Sequence, residues 1–286
     1  MRIVRFNGGR VGVIVGDNVV DVTSQCGIDP DAWPPVGVTR LIAEFASRKD
    51  GLAASSAPAV PLSSVRLETP VPWPSKVVAF PVNYHDHAAE MGAGYRASTQ
   101  GFFLKPPSSL SGPSDPIVLP QLPGRRIDHE CELGIVIGKT ARNVKPQDWH
   151  EFVFGYCCLI DVVVRGKEER VFRKAYDTFC PIGPWITTAD EVGDPTNIRL
   201  RLWVNDKLAQ DANTKDLVLD IPGMVAQASA VMTLHPGDIF ASGTPAGVGP
   251  IRPGDKVRIE IERVGEMTLN VVQGRGGYTD AFAEKA

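Results

Sequence analysis

The sequence lacks the features that mark several large classes of protein. Its five cysteines form no Cys-x-x-Cys pair, so neither a disulfide framework nor a thiolate zinc site is expected, and a reducing cytoplasm fits best. No stretch approaches the roughly 20 apolar residues of a membrane span. The first ten residues also lack the apolar run of a signal peptide. We therefore expect a cytoplasmic protein without a membrane partner.

The sequence also lacks a large net charge and several common nucleotide-binding and catalytic motifs. The net charge is −3, which gives no reason to expect nucleic acid as a partner. The sequence contains no Gly-x-x-x-x-Gly-Lys-Ser/Thr phosphate loop, no Gly-x-Gly-x-x-Gly fingerprint and no Gly-x-Ser-x-Gly nucleophile elbow. A glycine-rich segment does occur at residues 243–249. It is expected either to bring backbone amides close to a ligand or simply to form a tight turn.

Hydrophobic periodicity predicts an α+β protein that is mostly β. The 286 residues suffice for a small domain and a larger one. Short strands with glycine turns, then a helix around residues 38–45, predict a small N-terminal α/β domain over residues 1–70. The proline-rich residues 58–74 then form a linker or an extended segment leading into the larger domain, residues 71–286. That domain is predicted to contain strands near residues 77–80, 102–105, 128–139 and 152–159, a hairpin at 200–210 and a helix at 221–232.

The stretch Asp128–Lys139 reads as a strand with carboxylates in its first half. Side chains alternate along a strand, so Asp128, Glu130 and Glu132 share one face and Cys131 faces the core. Two glutamates on one face repel each other, and a divalent cation with oxygen ligands would offset that repulsion. Asp161, at the end of an apolar run, could supply a third anionic ligand. The alternative is an acidic strand edge in contact with solvent.

A second candidate is the segment Asn83–Glu90. On a helical turn His87 and Glu90 share a face, and a carboxylate beside an imidazole suits a general base. The alternative is an exposed polar helix start, and His85 is an alternative base if the segment is extended. Gly92-Ala-Gly follows, so this segment could move as a lid.

Lys174 could stabilise an oxyanion that develops beside a metal. It lies four residues before Thr178. Taken singly, each of these residues fits a surface salt bridge or a turn better than a catalytic role.

Together these pieces resemble the fumarylacetoacetate hydrolase superfamily. The matching motifs occur in the expected order over about residues 75–272: Asn83-Tyr-x-x-His-x-x-Glu90, Phe102-Phe-Leu-Lys-Pro-Pro, Glu130-x-Glu132-Leu-Gly-Ile-Val-Ile-Gly-Lys139, Phe154-Gly-Tyr, Asp161-Val, Lys174-x-x-Asp-Thr-Phe179, Gly183-Pro184-Trp185, Val204-Asn205, Pro236-Gly-Asp238 and Gly243-Thr-Pro-Ala-Gly-Val-Gly249. The resemblance implies a mixed β-sheet roll, a small N-terminal domain and a homodimer.

The resemblance also implies a site and its residues. Glu130, Glu132 and Asp161 would hold Mg²⁺ or Mn²⁺. His87 and Glu90 would activate water, with Lys174 as a further catalytic residue. The residues implied to bind the 2-oxo acid substrate are Thr178, Thr244, Arg165 and Lys105.

The implied activity is metal-dependent hydrolysis of a carbon–carbon bond in a 2,4-dioxo acid of the acylpyruvate type, through a metal-stabilised enolate. An isomerase or a decarboxylase of a related 2-oxo acid, as in aromatic catabolism, would use the same site. A non-catalytic binding protein on this fold is the second alternative. It is supported by residues 160–168, where polar positions of the family pattern are changed and Glu168 replaces glutamine. This glutamate is expected to add negative charge near an anionic ligand. Arg125, Arg126 and Arg165 could each bind a second carboxylate bidentately.

Overall fold

The computed structural model describes residues 1–90 and 97–275. Its strands are β1 Arg2–Phe6, β2 Arg10–Val15, β3 Asn18–Asp21, β4 Ala59–Pro61, β5 Leu67–Glu68, β6 Val77–Ala79, β7 Phe103–Lys105, β8 Leu110–Ser111, β9 Ile117–Leu119, β10 Ile127–His129, β11 Cys131–Ile137, β12 Val153–Ile160, β13 Val163–Val164, β14 Cys180–Thr188, β15 Arg199–Val204, β16 Lys207–Asn213, β17 Ile239–Ala241, β18 Gly249–Pro250, β19 Lys256–Ile261 and β20 Gly265–Gln273. Its α-helices are α1 Gly37–Ala53, α2 His85–Glu90, α3 Ala97–Gln100, α4 Arg170–Lys174, α5 Ala189–Val192 and α6 Ile221–Val231.

The strands form three sheets, of twelve, five and three strands. The largest runs in the order β4-β3-β2-β1-β14-β12-β11-β17-β6-β7, with β5 beside β1 and β8 beside β14. The five-stranded sheet runs β16-β15-β19-β20-β9, and the small sheet runs β13-β10-β18. Most pairs are antiparallel, but β17–β6, β14–β8 and β20–β9 are parallel. The sheets are therefore mixed, and the prediction of a mostly β fold with a mixed sheet is confirmed.

The N-terminal residues extend the largest sheet. The predicted hairpins are present, since β1 pairs with β2 and β2 with β3. Strand β1 also pairs with β14 through Arg2 and Thr187. The proline-rich stretch contributes the short strands β4 and β5, which pair with β3 and β1. The interpretation of this stretch as extended therefore describes it better than a free linker, while the division of the chain at residue 70 stays a prediction.

The predicted acidic strand is divided in two at Glu130. Its first part, β10, belongs to the small sheet, whereas β11 lies inside the largest sheet between β12 and β17. Cys131 begins β11 and is fully buried in the hydrophobic core, as its position between the glutamates predicted. Glu130 and Glu132 are 7% and 3% exposed, so the strand is not an edge in contact with solvent. The chain therefore passes from the small sheet to the largest sheet at Glu130, one of the predicted metal ligands.

The hydrophobic core packs on both faces of the largest sheet. One cluster joins its central strands to the five-stranded sheet and to α6, and another joins them to β2, β3 and α1. Asp220 lies directly before helix α6 and is its N-cap, because its side chain accepts a hydrogen bond from the Gly223 amide. Within residues 1–90 and 97–275, no helix is long and apolar enough to cross a membrane.

Candidate active site

Three carboxylates lie close together where β11 begins and β12 ends. Cys131 pairs with Ile160 in the antiparallel register, so the residues just outside this pair, Glu130 and Asp161, lie side by side. The Asp161 amide donates to the Glu130 carbonyl oxygen at 2.9 Å. Glu132 faces the same side as Glu130 because side chains alternate. One oxygen of each carboxylate lies within 4.8 Å of the others, so the structure brings the three predicted ligands together.

Two buried lysines partly neutralise this cluster. Lys174, the last residue of α4, donates from Nζ to Glu130 Oε2 at 2.6 Å and to Asp161 Oδ2 at 2.5 Å. Lys105, at the end of β7, donates to Asp161 Oδ1 at 2.5 Å. Its ammonium also donates to the carbonyl oxygens of Lys174 and Phe179, at 2.8 and 3.3 Å. These contacts meet the requirement that buried charges be paired and hydrogen-bonded.

The arrangement shifts the pKa values of two carboxylates in opposite directions. Burial, followed by the charge of Asp161, raises the pKa of Glu132 well above its usual range. Burial also acts to raise the pKa of Asp161, but the charges of Lys105 and Lys174 outweigh it and hold that pKa below its usual value. Asp161 therefore favours its ionised form, and Glu132 binds a proton more readily than Asp161 does.

The predicted dyad lies beside this acidic cluster. His87 and Glu90 are both in α2, and His87 Nδ1 lies 3.1 Å from Glu90 Oε2. The imidazole is buried, and it lines the same cavity as Glu130, Glu132 and Asp161. The segment is thus helical, and at His87 it is not an exposed polar helix start. His87 Nε2 is the ring nitrogen left for a substrate or a water molecule.

The alternative base and the predicted lid have different outcomes. His85 is exposed, and among the described residues that line the cavity it does not appear. Its role as a base required an extended segment, which the structure does not have here. The glycines at 92 and 94 lie outside the described residues, so the lid stays a prediction.

Asn83 anchors the segment that leads into α2. Its Nδ2 donates to the carbonyl oxygens of Ser242 and Leu219 at 2.8 and 3.0 Å, and its Oδ1 accepts from the Leu219 amide at 2.8 Å. The preceding residue, Val82, has a φ of 50°, which is unusual for a β-branched residue. Val82 lines the cavity. The buried Asn83 therefore holds a strained turn at the wall of the site.

The glycine-rich segment brings a backbone amide to the acidic cluster. The Gly243 amide donates to Glu132 Oε2 at 2.8 Å. Its φ is 91°, and a Cβ at this position would lie 2.6 Å from the Phe80 carbonyl oxygen. Only glycine meets both conditions without strain. Of the two interpretations of this segment, the close approach of an amide to the site therefore describes Gly243 better than a turn alone.

Gln210, which the sequence analysis did not single out, orients Thr244. The Cys131 amide donates to Gln210 Oε1 at 2.9 Å, and because an N–H can only donate, this contact fixes the orientation of the side-chain amide. Gln210 Nε2 therefore donates to Thr244 Oγ1 at 2.8 Å and to the Pro245 carbonyl oxygen at 2.9 Å. Thr244 lines the cavity. With its oxygen accepting from Gln210, Thr244 keeps its hydroxyl hydrogen for a ligand.

Two predicted substrate contacts lie elsewhere. The Thr178 hydroxyl oxygen accepts from the Val118 amide at 2.8 Å. Neither Thr178 nor Lys105 is among the described residues that line the cavity, whereas Arg165 and Lys174 are. Lys105 reaches the site through Asp161, which indicates a supporting role. Substrate contact by Thr178 or Lys105 stays a prediction that this geometry does not favour.

Glu168, the departure from the family pattern, is neutralised by Arg125. Arg125 Nη1 and Nη2 each lie 2.9 Å from a Glu168 carboxylate oxygen. A Cβ at Gly166 would lie 2.1 Å from Arg125 Nη2, so glycine at this position leaves room for the pair. The charge that Glu168 adds is therefore paired with Arg125, and Glu168 is not among the described residues that line the cavity; its effect on an anionic ligand stays a prediction.

The donor set fits a hard divalent cation. Carboxylate oxygens are the ligands that Mg²⁺ and Mn²⁺ prefer, and three carboxylates converge here. The Gly243 amide holds one oxygen of Glu132 and leaves the other for a metal. Glu130, Glu132 and Asp161 are thus suited to binding a divalent metal.

Comparison with known proteins assigns the family. Residues 76–272 match the fumarylacetoacetate (FAA) hydrolase C-terminal family. This chain belongs to that family. Maleylpyruvate hydrolase from Aquipseudomonas alcaligenes is 45% identical, over 95% of this chain and 99% of the relative.

Two solved structures of the family are similar over nearly the whole chain. The first is maleylpyruvate hydrolase from Sphingobium sp. SYK-6 in complex with manganese(II) and pyruvate. It is 58% identical with a TM-score of 0.90, over 96% of this chain and 100% of that one. The second is 2-hydroxyhepta-2,4-diene-1,7-dioate isomerase from Mycobacterium marinum. It is 32% identical with a TM-score of 0.75, over 96% of this chain and 98% of that one.

Proposed function

We propose that this family member is a divalent-metal-dependent hydrolase that cleaves a carbon–carbon bond in a 2,4-dioxo acid of the acylpyruvate type. The observation that carries the proposal is that one cavity joins the three buried carboxylates, Lys174 and His87, with Glu90 on the imidazole. The similarity to two maleylpyruvate hydrolases, one of them with manganese(II) and pyruvate, supports the same reaction. Maleylpyruvate is therefore the first substrate to test.

When bound, Mg²⁺ or Mn²⁺ would act as a Lewis acid and as a template for a 2-oxo carboxylate. The protein residues then have separate roles. His87 Nε2 takes a proton from water while Glu90 orients the imidazole through Nδ1. The hydroxide adds to the C4 carbonyl, and the C3–C4 bond breaks to release a carboxylic acid. The electron pair is delocalised over the 2-oxo group until C3 takes up a proton and pyruvate forms.

Lys174 and Thr244 would act on charge and position. The Lys174 ammonium lines the cavity, where it opposes the negative charge that develops on the 2-oxo group. The Thr244 hydroxyl, oriented by Gln210, donates to a carboxylate or keto oxygen. The homodimer implied by the resemblance and the cytoplasmic location expected from the cysteine content are parts of this proposal, and light scattering after size exclusion tests the first.

The test measures the release of pyruvate from maleylpyruvate in the presence of Mn²⁺, Mg²⁺ or EDTA. A coupled lactate dehydrogenase assay detects the pyruvate. We expect metal-dependent release that Glu132→Gln abolishes. His87→Ala should lower kcat by about 10²- to 10⁴-fold, the contribution of a positioned general base. His85→Ala is the matched control, because this histidine is in the same helix but exposed. Full activity of His87→Ala would refute the dyad assignment.

An isomerase is the second candidate, and the similarity to the Mycobacterium marinum isomerase favours it. The same residues could move a proton between carbons instead of activating water. Loss of the absorbance of a 2-hydroxydienedioate without release of pyruvate would identify this activity. Release of CO₂ from oxaloacetate alone would identify a decarboxylase.

A further inference from the structure

A second pocket adjoins the cavity that contains Glu130, Glu132 and Asp161. It is lined by His87, Glu90, Arg126, Arg165 and Val248. His87 and Arg165 also line the first cavity. The two pockets therefore meet at His87 and Arg165, which puts the second pocket within reach of an extended ligand bound at the acidic cluster.

Arg126 and Arg165 are held in this pocket by Asp128. Arg126 donates from Nε and Nη2 to the two Asp128 oxygens at 2.6 and 2.7 Å. Arg165 donates from Nε to Asp128 Oδ2 at 2.6 Å and from Nη2 to Glu130 Oε1 at 3.4 Å. Asp128 is fully buried. One carboxylate thus fixes two guanidinium groups, which lowers the entropy cost of binding an anion.

Each guanidinium keeps a nitrogen for a ligand. Among residues 1–90 and 97–275, Nη1 of Arg126 and Nη1 of Arg165 have no hydrogen-bond acceptor. The Arg126 side chain is 56% exposed, so a solute can reach it. Glu90 is the carboxylate among the described residues that line this pocket, and its Oε2 lies 3.1 Å from His87 Nδ1.

Planar guanidinium groups recognise carboxylates well. We propose that Arg126, fixed by Asp128 and assisted by Arg165, binds a second carboxylate at the far end of the substrate and so selects dicarboxylic 2,4-dioxo acids. This inference rests on the proposed function for the orientation of the substrate. Arg125 is not part of this subsite, because Glu168 occupies its guanidinium.

The kinetic test compares maleylpyruvate, which has the terminal carboxylate, with acetylpyruvate, which lacks it. Arg126→Gln should raise KM for maleylpyruvate about 10- to 100-fold, the value of a hydrogen bond to a charged group. It should leave kcat/KM for acetylpyruvate within about twofold, the spread expected when no contact is lost. Arg126→Lys should recover part of the loss because it restores the charge.

Arg199→Gln is the matched control. Arg199 makes the same bidentate pair with Asp211, at 2.8 and 2.5 Å, and its side chain is 54% exposed. It lies in the five-stranded sheet, and neither pocket is lined by it. This variant should behave as the wild type with both substrates. Equal losses on both substrates with Arg126→Gln, or no loss on either, would overturn the proposal.

A binding test separates this inference from the proposed reaction. 2-Oxoheptanedioate and 2-oxoheptanoate lack the 4-oxo group that cleavage requires and differ only in the terminal carboxylate. Calorimetry on the Mn²⁺-loaded protein should show that Arg126→Gln weakens the dioate about tenfold or more and leaves the monoacid unchanged. This result would stand even if the wild type hydrolysed neither dioxo acid. Equal affinity of wild type and variant for the dioate would refute the subsite.

Discussion

Lys105 offers the sharpest test of how the acidic cluster is stabilised. Its side chain is 0% exposed, and its ammonium donates to Asp161 and to two carbonyl oxygens. Lys105→Met keeps most of the length of the apolar stem and removes the charge and all three donors. Within the part of the chain that the structure describes, the Asp161 carboxylate would then keep Lys174 as its lysine partner, at 2.5 Å.

The expected loss is large because the partners stay buried. Removing one member of a buried ion pair costs about 3 to 5 kcal/mol. An unsatisfied buried carbonyl adds to this cost, whereas methionine replaces the apolar stem with little cavity. We therefore expect Lys105→Met to lower the free energy of unfolding of the metal-free protein by about 3 to 5 kcal/mol.

The control is the same substitution at an exposed pair. Lys49 donates to Asp190 at 2.8 Å, but the two side chains are 43% and 54% exposed. Lys49→Met should cost at most about 1 kcal/mol. Urea unfolding followed by tryptophan fluorescence, with the protein in EDTA, gives both values, and an unchanged m-value shows that stability alone changed. A loss at Lys105 of less than about 1 kcal/mol, the size for an exposed pair, would refute the reasoning.

Three further predictions concern the glycine turn, the thiols and the proton on the cluster. Gly243→Ala should lower the free energy of unfolding by about 1 to 3 kcal/mol, because the φ of 91° at this position is strained for alanine. It should also weaken Mn²⁺ binding measured by calorimetry, and wild-type values of both quantities would contradict this prediction. Burial raises the pKa of Cys180 to about 12, so Ellman's reagent should react fast with it only after denaturation, and fast reaction of the native protein would be inconsistent with the structure. Burial and Asp161 raise the pKa of Glu132 above its usual value near 4.5. The folded protein therefore holds a proton on Glu132 that the unfolded chain has already lost, and the metal-free fold loses stability as the pH rises from the usual pKa to the raised one. Mn²⁺ binding should release the Glu132 proton. Calorimetry in buffers of different ionisation enthalpy measures the release, and buffer-independent heats would exclude it.

Local patterns in the sequence were enough to predict how the core residues of the candidate site are arranged. The two-residue spacing of Glu130 and Glu132 puts them on one face of a strand, and the three-residue spacing of His87 and Glu90 puts them on one face of a helix. Both follow from the geometry of a single element. The position of Asp161 at the end of a buried run also marked it as a group that needs a partner. The structure places all five where these rules predict.

Contacts between distant elements could not be predicted in this way. Gln210 reaches Thr244 from another sheet, and that contact depends on how the sheets pack, which no spacing in the sequence encodes. The pairing of Glu168 with Arg125, 43 residues apart, has the same origin. Lys105 was predicted to touch substrate because the resemblance placed it near the site. In the structure its ammonium donates to Asp161, which supports a role behind the carboxylates, and substrate contact by Lys105 stays a prediction.

The same contacts explain how an acidic cluster can be buried before a metal binds. Repulsion between Glu130 and Glu132 led us to expect a divalent cation, and in the structure Lys174 already bridges Glu130 and Asp161. A metal must therefore compete with an ammonium group as well as with the proton on Glu132. Among the described residues, the ammonium groups of Lys105 and Lys174 donate to Glu130 and Asp161 but not to Glu132, so Glu132, once ionised, is the ligand whose charge a metal would compensate most. Loss of Glu132 should accordingly weaken metal binding more than it lowers the stability of the metal-free fold.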